Sequence, residues 1–476
     1  MEKEDKIMGK KQFFLVAAVF VFVLAAGCGN QNEGATPTNT AAPTNTAAPT
    51  NTAAPTNTPV PTATNTPTPE PTLAVVSVKE VRDNVVEVTL NTKKAEVDVE
   101  DISITKNLVN WNALTQKTLT FDAKTGVISQ NADGYTVITY SIENTSKFSN
   151  LEEAVRIADN YLSWQMDHGG WDKKPEKQAE AAWNGKDKKN KFSGWSSKKG
   201  EPLGTIDNEG TCTQMRHIAA VYREVPDEKY REAVLKGLDF IFLLQYESGG
   251  FAQVYPRRSN YSDNVTFNDN AMVNVLFMLN DMKNHAYPFD SDIIPEEYMV
   301  KVEESIEKAV DFILKAQIVS GGVPTAWCAQ HDPVTYEPVG ARSYELASIS
   351  GKESVGIVKF LLTVEQTPEV EEAVNNAIDW FYAAEYAGIR YVENDPNEVY
   401  FVEDERSTLW FRFYDIETGE PFFCDRDGIK KFSITEISEE RRNGYSWCDT
   451  YPKKLLQFYE KYGLVFTTIT AKLTED

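Results

Sequence analysis

The chain has 476 residues, with 48 Lys and Arg against 71 Asp and Glu, a formal net charge of −23. A nucleic-acid binder needs a basic stripe along the phosphates, and this balance repels a polyanion everywhere except at a local cationic patch. The 41% hydrophobic and 11% aromatic content excludes wholesale disorder, and the length carries an expectation of about three domains.

Residues 1–28 are predicted to be an export signal. Lys3, Lys6, Lys10 and Lys11 precede the apolar run Phe13–Ala26, which is too short to span a bilayer comfortably. The run closes with Leu24-Ala25-Ala26-Gly27-Cys28, similar to a bacterial lipobox with Ala25 where Leu is commoner. Cys28 is then a candidate lipid carrier, and the expectation is a secreted or cell-surface bacterial lipoprotein. An ordinary secretory signal with an incidental cysteine is the alternative. Residues 29–72 form a Thr/Pro/Asn-rich linker in which TNTAAP recurs; it cannot bury a core, and its prolines favour an extended stalk. The cysteines beyond Cys28 are Cys212, Cys328, Cys424 and Cys448; no metal spacing joins them, and they read as small core residues or as one bridge.

Residues 73–147 change character. LAVVSVKEV, NVVEVTLNT, AEVDVEDISIT, KTLTF and YTVITYSI are short, β-branched and partly alternating, which predicts a small all-β sandwich-like domain. It serves either as a spacer or as a sugar-binding module. Residues 148–476 turn mainly α, with apolar residues at 3–4 spacing and acidic first turns, as in LEEAVRIADNYLSWQM and VEESIEKAVDFILKAQI.

Three of these helices run into the same signature. Gln165 precedes Gly169-Gly170-Trp171, Gln245 precedes Gly249-Gly250-Phe251, and Gln317 precedes Gly321-Gly322-Val323; Trp380-Phe381-Tyr382 with Gly388 reads as a diverged fourth copy. Glycine pairs past a helix suit left-handed caps, with the ring residue presented at a rim. The recurrence predicts repeated helical hairpins in an incomplete (α/α)3 toroid around a central cleft, with an open solenoid as the alternative.

Polar clusters interrupt the helices. Asp207-Asn208 and Asp269-Asn270 each stand before a helix, where an N-cap is one reading. Taken together, two oxygen-rich clusters at the mouths of two repeats could share a Ca²⁺, which takes carboxylate and amide oxygens; no EF-hand loop and no thiolate or imidazole site is present. Arg342, Arg412 and Arg426 lie in aromatic contexts (ARSYE, WFRFYD, CDRDG), where a guanidinium suits bidentate recognition of a carboxylate or a structural ion pair.

The segments TIDNEGTCTQMRHIAAVY, GLDFIFLLQYESGGFAQVYP, NVTFNDNAMVNVL, TAWCAQHDPVTYEPVGARSYELASISGKESVGIV and CDRDGIKKFSITEISEERRNGYSW, in this order across Leu151–Tyr462, resemble the family-10 pectate lyases. The resemblance implies an α/α toroid and Ca²⁺-assisted β-elimination of polygalacturonate to 4,5-unsaturated oligogalacturonates. It implies that Asp207 and Asp269 hold the Ca²⁺, that Arg426 is the Brønsted base, and that Arg342 and Arg412 grip substrate carboxylates. Lys352, His331 and Trp171 are further candidate substrate-binding residues, and Lys352 is also an alternative base. Trp327 and Tyr344 stand beside the motifs, as cleft or core residues. Glu209 departs from the family pattern, where a small residue is commoner, and Phe251 replaces a commoner Trp.

The chemistry agrees with these residue types. Removing a C5 proton beside a carboxylate requires the developing charge to be neutralised, which a divalent cation and arginines can do. A guanidinium acts as a base only where crowded positive charge lowers its pKa. Two other functions fit the same residues: an α/α-toroid glycoside hydrolase using Asp207 and Asp269 as acid and base, or a surface pectin-binding protein without turnover.

Overall fold

The computed structural model describes residues 72–142, 147–393, 395, 397, 399–464 and 466–474. The export signal and nearly all of the linker expected from the sequence lie outside the described residues. From Leu73 onward the described residues fold as one unit.

The first strands are β1 (Val75–Arg82), β2 (Val85–Leu90), β3 (Ile102–Asn110), β4 (Thr115–Thr120), β5 (Val127–Gln130) and β6 (Thr136–Ser141). They form an antiparallel sheet in the order β1-β2-β6-β5 and a second sheet in which β3 is central, with β4 on one side. Period-2 alternation sends Val86, Val88 and Leu90 inward, where they join Ile102, Ile104, Phe121, Ile138 and Tyr140 in one apolar core. The other neighbour of β3 is the strand Thr468–Leu473 at the far end of the chain, whose Ile469, Ala471 and Leu473 pack on the same core. The sequence boundary at residue 147 therefore misses a strand, because a pairing across more than 350 residues leaves no local signal in either segment.

The helices that build the repeated pairs are α1 (Leu151–Trp164), α2 (Cys212–Glu224), α3 (Glu228–Leu244), α4 (Ala271–Lys283), α5 (Glu296–Ala316), α6 (Glu353–Leu361) and α7 (Pro368–Ala383). They pack as the neighbours α2 with α3, α4 with α5, and α6 with α7, while α1, α2, α4 and α6 touch in series. Composition assigns the layers. In α4, Ala271, Met272, Val273, Val275, Leu276, Phe277, Met278 and Leu279 are all buried, so the helix is apolar all round and sits inside. In α5, Met299, Val302, Ile306, Ala309, Phe312 and Ile313 are buried while Glu303, Glu304, Glu307 and Lys308 are exposed, the pattern of an outer helix.

The Gln-x3-Gly-Gly signature has a different job from the one its spacing suggests. Each helix stops at the glutamine, and the glutamine amide staples the turn to the next outer helix. Gln165 Nε2 donates to the carbonyls of Gly169 and Ala233, both at 2.8 Å. Gln245 does so to Gly249 and Ser305, both at 2.9 Å, and Gln317 to Thr325 and Ala373 at 3.0 and 2.9 Å. Gly169 and Gly249 have φ of +93° and +99°, and a Cβ there would stand 1.9 Å from the carbonyl oxygen of Lys236 or Lys308. They are close-approach glycines in a turn four residues past the helix. Trp171 and Phe251 are fully buried and present no ring at a rim. Gly388, expected in a fourth copy, lies in the strand Tyr386–Tyr391 of a β-hairpin. The four cysteines are buried and free.

Candidate active site

Three short antiparallel ladders clip the loops that carry the polar clusters. Gly204–Thr205 pairs with Val254–Tyr255, which sets Asp207 beside Gln253. Val265–Thr266 pairs with Gln330–His331, placing Asp269 just past one strand and Gln330 in the other. Ile349–Ser350 pairs with Phe413–Tyr414, placing Lys352 and Arg412 at the ends of the third clip.

Asp207 and Asp269 occupy single 3-10 turns ahead of α2 and α4, and neither caps its helix. The backbone there has positive φ, between 49° and 68°, at Asn208, Glu209 and Thr211 in one turn and at Asp269 and Asn270 in the other; Asn and Asp tolerate it, while Glu209 and Thr211 are strained. Such strain persists where surrounding structure fixes it, and it gathers at functional sites. It turns both carboxylates away from the helix ends. Asp207 Oδ2 accepts from Lys173 Nζ at 3.1 Å and Oδ1 from Gln253 Nε2 at 3.1 Å. Asp269 Oδ1 accepts from Lys352 Nζ at 2.8 Å and Oδ2 from Asn268 Nδ2 at 3.0 Å, with Arg412 Nη2 at 3.6 Å. Burial works to raise the Asp269 pKa, but Lys352 and Arg412 outweigh it, and the carboxylate is held below its usual range.

Arg412 is 4% exposed, with Nη2 donating to Glu353 Oε1 at 2.8 Å and to Asn268 Oδ1 at 3.0 Å. Burial opposes its charge, and Glu353 and Asp269 more than restore it, so the guanidinium stays protonated. Arg342 is paired through Nε with Glu345 Oε2 at 2.7 Å and through Nη2 with Oε1 of the same carboxylate, a bidentate fork that lifts its pKa further.

These elements enclose a cavity of about 170 Å³ lined by Lys173, Trp195, Asp207, Asn208, Gln253, Tyr261, Asn268, Asp269, Gln330, Arg342 and Glu345. At about 30 Å³ per water it has room for only a few small groups at a time. Of the residues expected from the sequence, the structure brings Asp207, Asp269 and Arg342 to this cavity and hangs Lys352 and Arg412 on Asp269.

Others are placed elsewhere. The Arg426 side chain is 63% exposed and ion-paired to Glu440 at 3.1 Å; it is not among the lining residues and stands beside Tyr344, whose ring centroid lies 5.6 Å from Arg426 and 4.9 Å from Arg342. His331, expected to touch substrate, is fully buried: Nε2 accepts from the Cys328 amide at 2.9 Å, and Nδ1 lies 2.8 Å from the Tyr336 carbonyl. Burial pushes its pKa down to about 4, so it is a neutral structural imidazole. Trp171 is also fully buried, its indole N–H donating to the Tyr161 carbonyl at 2.7 Å, so it packs rather than stacks on a sugar. Trp327 is buried in the same way, donating to Ile313. Glu209 is exposed and does not line the cavity.

Lys173, Trp195, Gln253, Tyr261, Gln330 and Glu345 received no role from the sequence. A signal for two of them was present: Lys173 and Gln253 each stand three residues after the second glycine of a Gly-Gly pair, so the repeat aims the same position at the cavity twice.

A narrow cavity with two fixed carboxylates, Lys173 and Arg342 in its wall and Lys352 and Arg412 against Asp269, is the kind of site that handles an acidic ligand. The pectic acid lyase family model matches residues 165–456. A family 10 polysaccharide lyase from Cellvibrio cellulosa, in a mutant form in complex with trigalacturonic acid, is 39% identical, covering 67% of this chain and 94% of its own with a TM-score of 0.59. A second structure of the family 10 lyase from that organism is 38% identical, covering 67% and 100%, with a TM-score of 0.59. No curated protein matches the chain. The chain belongs to the pectic acid lyase family, as a family 10 polysaccharide lyase.

Proposed function

We propose that this lyase cleaves polygalacturonate by Ca²⁺-assisted β-elimination, with Arg342 rather than Arg426 as the base. The observation that carries the reading is the single cavity in which Asp207, Asp269 and Arg342 converge. The relative's complex with trigalacturonic acid supports the substrate class. The packed pairs α2–α3, α4–α5 and α6–α7 support an incomplete toroid as the scaffold.

The donor set fits a hard cation. Asp207 and Asp269 supply carboxylates, Asn208 and Asn268 supply amide oxygens, and the buried Oε1 of Gln253, beside Asp207, has no hydrogen-bond partner. Among the described residues no group of three or more His, Cys, Asp or Glu gathers as a metal cluster, so neutral oxygens and the substrate's own carboxylates would complete the six to eight ligands of Ca²⁺. The bound ion would supply charge neutralisation at the galacturonate carboxylate. Lys352 and Arg412 add positive charge at Asp269 and suit the same carboxylate. Arg342, with its side chain 42% exposed, is the guanidinium placed at the cavity edge to take the C5 proton. The Glu345 fork aims it and raises its pKa in the free enzyme, so positive charge from the bound ion and from Lys352 and Arg412 would have to offset that pull and release its proton to solvent before it accepts the one from C5. Arg426, on the rim beside Tyr344, suits a neighbouring carboxylate of the chain.

The paired-carboxylate hydrolase is disfavoured on this geometry. A general acid needs a raised pKa, whereas Asp269 is held low, and each carboxylate is engaged by a lysine. A secreted or lipid-anchored location rests on residues 1–28 alone. The residue roles are separated by kinetics on polygalacturonate: Arg342→Ala is expected to lower kcat by about 10³-fold or more with substrate binding retained, and Arg426→Ala to raise KM with a smaller effect on kcat. Near-normal turnover in Arg342→Ala would remove it from the base role.

A further inference from the structure

Two arginine–carboxylate pairs flank the site, Arg342–Glu345 and Arg412–Glu353, and one side chain touches both. Tyr445 Oη donates to Glu345 Oε1 at 2.7 Å, the oxygen that also accepts from Arg342 Nη2. The opposite feature of the same residue, its ring, lies under the other pair, with the Arg412 guanidinium carbon 4.5 Å from the centroid. The ring is fixed by Trp447 at 4.9 Å, by Tyr344 edge-on at 5.5 Å and by Phe413 stacked at 6.2 Å. Burial keeps the phenol protonated, so its hydroxyl remains a donor. Because an aromatic side chain has only two rotatable bonds, such a frame sets both contacts at once.

We propose that Tyr445 is a positioning residue that fixes the separation of Arg342 from Arg412, holding the first through Glu345 and the second through its ring face. Glu345 accepts from Nε, Nη2 and the backbone amide of Arg342, and Oη of Tyr445 is the donor from outside that loop, tying the fork to the aromatic frame. Arg412 has its Nη2 held by Glu353 and Asn268 while its Nε has no partner, and of the two rings against the guanidinium Tyr445 is nearer, at 4.5 Å against 5.7 Å for Phe413, so it contributes most to holding the plane. The inference rests on the assignment of Arg342 to chemistry and of Arg412 to substrate carboxylate.

The test is steady-state kinetics of the full chain on polygalacturonate, with thermal melts confirming that each variant is folded. Tyr445→Phe keeps the ring and loses the hydroxyl; kcat is expected to fall about tenfold with KM little changed, the loss of one hydrogen bond to a charged group. Tyr445→Leu loses the ring as well and is expected to raise KM in addition. In a double-mutant cycle, Tyr445→Phe on a Glu345→Gln background should add little, because both act through one contact. An unchanged kcat in folded Tyr445→Phe, or an additive cycle, overturns the proposal. Arg342→Ala separates this from failure of the underlying assignment: if that variant is inactive while Tyr445→Phe is normal, only the tyrosine's role falls, and if it is active, the assignment itself falls.

Discussion

At the scale of single residues, burial and partners separate side chains of similar sequence promise. Arg342 and Arg426 both sit in aromatic, charged motifs, but only the first lines the cavity. His331 and Asp269 were both candidates at the site; the imidazole is sealed between two backbone groups, while the carboxylate is held open by cations. The histidine carries a pH consequence. Its folded pKa of about 4 lies below its usual 6.5, so between those values the unfolded chain binds more protons and stability rises with pH. The contribution is complete above about pH 6.5 and is lost as pH falls toward 4, up to about 3 kcal/mol for the full shift. Melting temperatures measured from pH 7 to pH 4 should fall, and His331→Asn, which cannot take up the proton, should flatten this stretch of the curve while melting lower at pH 7.

At the scale of elements, the repeat was legible and its purpose was not. Gln165, Gln245 and Gln317 were visible at fixed offsets from Gly-Gly pairs, but that the amides cross to the next outer helix depends on which helix lies alongside. The glycines divide by the same criterion. A Cβ at Gly249 would meet the Lys308 carbonyl oxygen at 1.9 Å, whereas at Gly321 it would meet nothing within 4 Å, although both have positive φ. Gly321→Ala should therefore cost about 1–2 kcal/mol, the left-handed penalty alone. Gly249→Ala must also part a turn from helix α5 and should lower the melting temperature several-fold more; equal losses in thermal unfolding would contradict the close-approach role. The two strained turns at Asp207 and Asp269 follow the same lesson. The Asp-Asn pairs were legible as oxygen-rich and as potential caps, and the left-handed backbone that decides between those readings is imposed by the flanking two-residue ladders, which carry no sequence pattern of their own.

At the scale of the whole molecule, helical periodicity and β alternation point to a stretch of strands followed by a stretch of helices, but not to where the strands of the β region end. The C-terminal strand beside β3 was missed because strand pairing at long range is set by the assembled sheet. The net charge of −23 gains its meaning from the site: Lys173 pairs with Asp207, Lys352 and Arg412 gather at Asp269, and Arg342 pairs with Glu345 in an otherwise acidic protein. On the proposed function, binding of a polyanion would depend on this local charge and on a divalent cation more than on the surface as a whole. The most direct measurement is the ultraviolet absorbance of a 4,5-unsaturated product during digestion of polygalacturonate, with and without excess chelator. The account predicts that absorbance rises with added Ca²⁺ and stops with chelator; reducing ends that accumulate without absorbance, or a rate that chelator leaves unchanged, would contradict it.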